Sequence, residues 1–287
     1  MAKCNVCYRK CEIKEGSVGF CGVRMAQEDG TITPVNYGRI TSIALDPIEK
    51  KPLSRFMPGG YVLSVGSYGC NLRCPFCQNY EISWADEAYE YGRQAGTITP
   101  EKLSDLALEY RDQGDIGVAF TYNEPLVGYE FVRDTARLVH EKGMKNVLVS
   151  NGMASMEVLE EIIPYIDAMN IDLKGFTDRY YEDILKGNRK MVMDFIAEAV
   201  KHCHVELTTL VIPGENDSVS EMAQLSEWIS NLKGSSGERI GKEIPLHVSR
   251  FFPRFNMTDR GPTPVEKVYE LADVARHNLK YVYTGNC

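Results

Sequence analysis

No window of the 287-residue chain approaches the roughly 18 uninterrupted apolar residues of a membrane-spanning helix. The opening residues, Met1-Ala2-Lys3-Cys4, lack the apolar core of a secretory signal. No basic run occurs, and the net charge of −8 argues against a nucleic acid held through its phosphates. No internal repeat stands out. What remains, 44% hydrophobic and 25% charged residues, is ordinary for a soluble globular protein. The expectation is a cytoplasmic protein that engages neither membrane nor nucleic acid. Nine cysteines without a signal then read as metal ligands in a reducing compartment, not as disulfides.

Three of the nine stand close together in Gly69-Cys70-Asn71-Leu72-Arg73-Cys74-Pro75-Phe76-Cys77-Gln78-Asn79, directly after the alternating run Tyr61 to Tyr68. Three thiolates on one loop can hold three corners of a [4Fe–4S] cluster, whose full protein ligation takes four cysteines. The next cysteine after Cys77 is Cys203. Without a fourth protein ligand, one iron keeps an open position for a small molecule. A structural zinc loop would instead want a fourth ligand nearby.

Residues 1–58 carry Cys4, Cys7, Cys11 and Cys21, spaced C-x2-C-x3-C-x9-C, in a segment too poor in hydrophobes for a core of its own. This reads as a small Cys-rich metal-binding extension. Four thiolates suit tetrahedral zinc or a second iron–sulfur centre, zinc being the commoner closed structural site. Val35 to Leu45 reads as an edge strand or hairpin, and Asp46 to Pro52 as a polar connector.

In residues 59–287 strand-like and helix-like segments alternate. Strand candidates are Ile116–Thr121, Asn146–Ser150, Ala168–Leu173, Val205–Ile212, Leu246–Phe251 and Tyr281–Thr284. Thr99, Ser218 and Thr263 read as helix N-caps, and a helix is expected from about Leu126 to Glu141. Six βα units imply an α/β fold with a parallel sheet, fewer than the eight of a closed barrel. Chemistry in such folds sits at the carboxyl ends of the strands. His202-Cys203-His204 lies at a helix-to-strand join, where alternating side chains argue for a structural role.

The motif at Cys70, Cys74 and Cys77, with aromatic Phe76 before the last cysteine, resembles that of the radical SAM superfamily. The resemblance implies a partial (β/α)6 barrel over residues 59–287. It implies a [4Fe–4S] cluster and S-adenosylmethionine, cleaved reductively to a 5′-deoxyadenosyl radical that abstracts hydrogen from a substrate. It also implies a reductant protein of flavodoxin or ferredoxin type. Tyr122-Asn123-Glu124-Pro125 looks like the family's Gly-Gly-Glu element, with Glu124 accepting from the methionine ammonium. Ser150-Asn151-Gly152 resembles a Thr-Asn-Gly element near the cofactor, and Asp172-Leu173-Lys174 the Asp-x-Lys of glycyl-radical activating enzymes. The expected cofactor-binding set is thus Phe76, Asn123, Glu124, Ser150, Asn151, Asp172 and Lys174.

A closer resemblance is to the radical SAM component of the AmmeMemoRadiSam system, carried by the N-terminal cysteines with Gly19-Phe20-Cys21, by Asp46 to Pro52, and by Tyr281 to Asn286. It implies a modification tied to that system, on a partner protein or a small molecule. The alternatives are a glycyl-radical activase similar to the pyruvate formate-lyase activating enzyme, and a non-catalytic iron–sulfur electron carrier or zinc-stapled binding protein.

Overall fold

The computed structural model describes residues 1–287. Two short antiparallel pairs open the chain, β1 (Ala2–Lys3) with β2 (Glu12–Ile13) and β3 (Arg24–Ala26) with β4 (Ile32–Pro34). The main sheet follows: β5 (Ser42–Pro47), β6 (Tyr61–Gly66), β7 (Asp115–Phe120), β8 (Lys145–Ser150), β9 (Ala168–Asp172), β10 (His204–Val211), β11 (Leu246–Arg250) and β12 (Val282–Gly285). Spatial order follows chain order, with β6 to β12 parallel and β5 antiparallel to β6. Each crossover therefore steps one strand onward in the same direction, as in a barrel wall. Because β5 and β12 remain edges, the wall is a partial α/β barrel, as expected.

The helices are α1 (Tyr80–Ser83), α2 (Asp86–Gln94), α3 (Pro100–Glu109), α4 (Tyr129–Glu141), α5 (Met156–Ile162), α6 (Arg189–Ala199), α7 (Val219–Ser230) and α8 (Val265–Arg276). Thr99 caps α3 by accepting from the Lys102 N–H at 3.3 Å, and Ser218 caps α7 by accepting from that of Glu221 at 3.1 Å. The third expected cap does not form. Thr263 is fully buried and its hydroxyl donates to the Val211 carbonyl at 2.6 Å, so Pro264 precedes α8 without a side-chain cap. A strand-end carbonyl took the hydroxyl first. The helix expected from Leu126 begins as a 3-10 turn, Pro125–Gly128, and becomes α-helical at Tyr129.

Alternation divides the strand residues between two faces. Leu63, Val118, Phe120, Leu148, Met169, Ile171, Leu207 and Val248 share the main core with Leu103, Ala136, Phe195, Leu225 and Leu271 from the helices. A second cluster joins Val62, Ala119, Val147 and Ala168 to Ile48 and Leu53. Asp46 to Pro52 is therefore not the expected polar connector. Its first two residues complete β5, a 3-10 turn runs over Ile48–Lys50, and the fully buried Ile48 and Leu53 plug the inner face of the sheet. The last part of the N-terminal 58 residues thus supplies an edge strand and a strap to the main body.

Two inward polar side chains fix this strap. Asn170 donates to the Pro52 carbonyl at 2.8 Å, and Glu206 accepts from the N–H groups of Ser54 and Arg55 at 3.0 and 2.7 Å. The fully buried Glu206 carboxylate also lies 2.9 Å from His204 Nε2 and 2.6 Å from His247 Nε2. His204 is accordingly structural, as its position implied. Burial works to raise the Glu206 pKa, but these donors outweigh it and hold it down at about 2. A depressed folded-state pKa gives stability that is present above the ordinary value near 4.5 and lost as pH falls toward 2. Wild-type protein should therefore exceed Glu206→Gln in unfolding free energy by about 3 kcal/mol at neutral pH. Urea titrations should show the difference shrinking across that acidic window.

Candidate cluster and cofactor site

The segment between β6 and α1 places Cys70, Cys74 and Cys77 at the carboxyl end of the first parallel strand. The segment has no strand or helix of its own, so side chains and neighbouring backbone hold it. Gly69 starts it at φ +99°, where a Cβ would stand 2.6 Å from Val23 and 3.1 Å from the Cys21 carbonyl. The Arg73 guanidinium donates to the carbonyls of Cys70 (2.8 Å), Leu72 (2.7 Å) and Phe20, and lies 3.9 Å over the Phe20 ring. The N–H of Asn256 donates to the Pro75 carbonyl at 2.8 Å, and that of Arg73 to the Leu185 carbonyl at 3.0 Å.

The three thiols are enclosed. Burial pushes Cys74 up to about 12 and raises Cys70 and Cys77 as well. Donors nevertheless already point at the Cys70 sulfur. The Leu72 N–H lies 3.4 Å from Cys70 Sγ, and Asn151 Nδ2 lies 3.9 Å from it. Protonated thiols gain little from such donors, whereas metal-bound thiolates gain much. Neither this cysteine group nor the N-terminal one is drawn as tightly together as ligands around an ion. Donor chemistry, burial and the three-cysteine count all fit a site-differentiated cluster.

The ends of β7, β8 and β9 bring the other expected residues to the same face. Glu124 is 2% exposed and accepts from the Ser150 hydroxyl (2.8 Å), the Asn151 N–H (2.8 Å) and the Leu126 N–H (3.1 Å). All three partners are neutral. Burial raises its pKa to about 7 in spite of them. Asn151 donates to Asn71 Oδ1 at 2.9 Å and accepts from the Met153 N–H at 2.9 Å. Lys174 Nζ lies 2.7 Å from Asp172 Oδ2. Burial opposes its charge, but Asp172 and the Cys74 sulfur outweigh that and raise the pKa. Phe76 is buried edge-to-face against Phe251, with ring centroids 6.5 Å apart.

Asn123 faces the loop. Its side chain accepts from the Ser67 N–H at 3.0 Å and donates to the carbonyls of Tyr68 (3.2 Å), Gly69 (3.1 Å) and Glu124 (3.3 Å). Tyr122, at φ +72°, turns its side chain toward the strap, where its hydroxyl donates to Asp46 Oδ2 at 2.8 Å. Asn71 and Arg73 escaped the sequence reading although both lie inside the motif. Their signal was position alone, since any polar residue buried between the cysteines must find partners.

The four N-terminal cysteines line one small cavity with Arg9, Arg24 and Asn71. Cys4 and Cys21 are buried, and Cys7 and Cys11 half-buried. Asn71 therefore lies between this group and the Asn151 side chain beside Cys70. Arg9 Nε donates to the Asn71 carbonyl at 3.2 Å, and the Ser155 N–H to the Val6 carbonyl at 2.8 Å. The extension is thus packed onto the loop that carries the central cysteines. Replacing Asn123 by Ala removes the side chain that ties this loop to β7. We expect about 2 kcal/mol lower stability in urea unfolding and a lower iron content after reconstitution.

Comparison with known proteins agrees with this arrangement. An uncharacterised protein of Methanocaldococcus jannaschii is 38% identical over 287 residues, spanning 99% of this chain and 81% of that protein. The pyruvate formate-lyase 1-activating enzyme of Escherichia coli is 25% identical over 185 residues, 62% of this chain and 71% of the enzyme. Streptococcus suis SuiB bound to S-adenosylmethionine matches in fold with a TM-score of 0.58 at 12% identity, covering 79% of this chain and 52% of SuiB. The profile of the radical SAM superfamily matches residues 64–226, more than half of the chain. That span encloses the cysteine loop and the ends of β7, β8 and β9, and the chain belongs to the radical SAM superfamily.

Proposed function

We propose that Cys70, Cys74 and Cys77 hold a [4Fe–4S] cluster and that S-adenosylmethionine lies against Glu124, Ser150, Asn151, Asp172 and Lys174. When bound, the cluster and S-adenosylmethionine supply an electron transfer that breaks the sulfonium bond and yields a 5′-deoxyadenosyl radical for hydrogen abstraction. The observation that carries the assignment is Glu124, a buried carboxylate with only neutral donors around it. An ammonium group is the partner such a site lacks, and its charge would hold Glu124 ionised at neutral pH. Lys174, beside Asp172, offers a cation to a carboxylate. Asn151 holds the Cys70 end of the loop against β8, and Phe76 fixes the loop before Cys77. Asn123 supports the loop from behind and is assigned no direct contact.

Membership of the superfamily and the enzymes related to this chain weigh against the non-catalytic readings, an electron carrier or a zinc-stapled binding protein, and leave the N-terminal metal open. For the substrate, the N-terminal cysteines, the strap and the last strand together favour a reaction within the AmmeMemoRadiSam system. Activation of a glycyl-radical enzyme is the second reading, supported by the 25% identity to the E. coli activating enzyme. A glycyl radical on a co-expressed partner, seen by EPR, would decide for the second. A flavodoxin- or ferredoxin-type protein is the proposed electron source.

Anaerobically reconstituted protein reduced with dithionite should convert S-adenosylmethionine to 5′-deoxyadenosine, and Cys77→Ala should not. Full cluster loading with no such product would sink the proposal. Glu124→Gln should raise the S-adenosylmethionine concentration needed for the EPR change at least about tenfold, the loss of one charge-assisted contact. Metal analysis separates the proposals for Cys4, Cys7, Cys11 and Cys21. About four irons and one zinc per chain mean a zinc staple, and about eight irons a second cluster.

A further inference from the structure

Asn71 stands between the two cysteine groups and bonds toward both. It is 1% exposed and lines the cavity of Cys4, Cys7, Cys11 and Cys21. Its carbonyl accepts from Arg9 Nε at 3.2 Å and its Oδ1 from Asn151 Nδ2 at 2.9 Å. Its Nδ2 donates to the Met153 carbonyl at 2.8 Å. Both ends of the amide are bonded, so Asn71 cannot turn without breaking a buried hydrogen bond.

Each side of this residue leads to one site. Arg9 sits in the middle of the turn from Cys7 to Cys11. The Lys10 N–H closes that turn onto the Cys7 carbonyl at 3.2 Å, with Lys10 at φ +44°. The Arg9 guanidinium lies 3.3 Å over the ring of Phe20, the residue before Cys21, and also donates to the Lys186 carbonyl. Gathering four sulfurs around one ion must fix this turn, and with it the guanidinium that holds Asn71. On the other side, Asn151 Nδ2 lies 3.9 Å from Cys70 Sγ, and the Asn151 N–H donates to Glu124 Oε2 at 2.8 Å. A continuous run of contacts therefore leads from the N-terminal cysteines through Arg9, Asn71 and Asn151 to the Cys70 sulfur and the Glu124 carboxylate.

We propose that Arg9 and Asn71 are positioning residues that couple metal binding at the N-terminal cysteines to S-adenosylmethionine binding at Glu124. The coupling rests on the readings of Cys4, Cys7, Cys11 and Cys21 as one metal site and of Glu124 as the ammonium acceptor. Metal at the first site holds the Cys7 to Cys11 turn, Arg9 and Asn71 in one arrangement. Asn151 is then already set to present its N–H to Glu124 and its amide to Cys70. Without that metal the turn is freer, and part of the ordering must be done when S-adenosylmethionine binds. Coupling of this kind is reciprocal, so each ligand raises the affinity for the other by the same factor.

Full-length protein, given zinc and then iron and sulfide anaerobically, is compared before and after the zinc is withdrawn by a chelator. Without zinc, the S-adenosylmethionine concentration at half the EPR change of the reduced cluster should be at least about fivefold higher. Zinc affinity, from competition with a chromogenic chelator, should rise by the same factor when S-adenosylmethionine is added. In Arg9→Met, which keeps every cysteine, both factors should fall toward one while zinc and iron still bind. Asn71→Ala, which cuts the link to Asn151, should behave alike. Equal S-adenosylmethionine affinities with and without zinc would overturn the coupling, as would a wild-type zinc affinity that ignores S-adenosylmethionine. Where the first metal cannot be removed alone, the two variants with both sites filled decide, and half-saturation equal to wild type in both would overturn it. A wild type with no metal at the N-terminal cysteines would instead overturn that site, and unchanged S-adenosylmethionine binding in Glu124→Gln the assignment of Glu124.

Discussion

The cysteine loop must stand still without a strand or helix to stiffen it, and much of the chain is arranged around that need. Loop carbonyls and N–H groups cannot go unpaired when buried. Here they are met from every side: Phe20 through Arg73, Ser83 behind Gly69, Leu185 from the π-helical turn Tyr180–Leu185, Asn256 from the C-terminal region and Asn123 from the end of β7. Removing any one leaves the others with a longer lever to resist. Such a loop is held by its whole surroundings, and its precision is a property of the barrel rather than of the motif.

Two buried carboxylates on the inner side of this barrel show how environment assigns different tasks to one residue type. Glu206 is surrounded by two backbone N–H groups and two histidines, and its charge is fully answered by the chain. Burial is overcome and the group stays ionised deep into acid. Glu124 has a comparable burial and three donors, none of them charged, and its ionisation is poised near neutrality. The first is a finished structural joint. The second is a joint with one member supplied from outside.

Much of this was legible in the sequence because it rests on local rules. The period of two in β7 to β10, the Thr99 and Ser218 caps, and the cysteine spacing each express one short-range constraint. The failures have a common origin in contacts between distant segments. Asp46 to Pro52 reads as polar, yet the fold buries Ile48 and Leu53 beneath the sheet and pairs Asp46 with Lys51 at 2.8 Å. Thr263 has the local signature of a cap and is claimed by a carbonyl 52 residues earlier. The Asn123 side chain, which no pattern marked as a brace, bonds to the Ser67 to Gly69 backbone more than 50 residues earlier. No local pattern announces a partner that far away.

The packing of the N-terminal cysteines has a consequence for the order in which the molecule is made. Tyr8 bonds to the carbonyl of Lys186, 178 residues onward, and Val6 to the N–H of Ser155. Chains leave the ribosome from their N-terminus, and contacts between remote segments close late because loop entropy must be overcome first. Cys4, Cys7, Cys11 and Cys21 therefore emerge ahead of the barrel as unprotected thiols and wait for most of it before they find their seat. During that interval they are open to oxidation and to capture of whatever metal is at hand. These cysteines are made well before the segments that seat them.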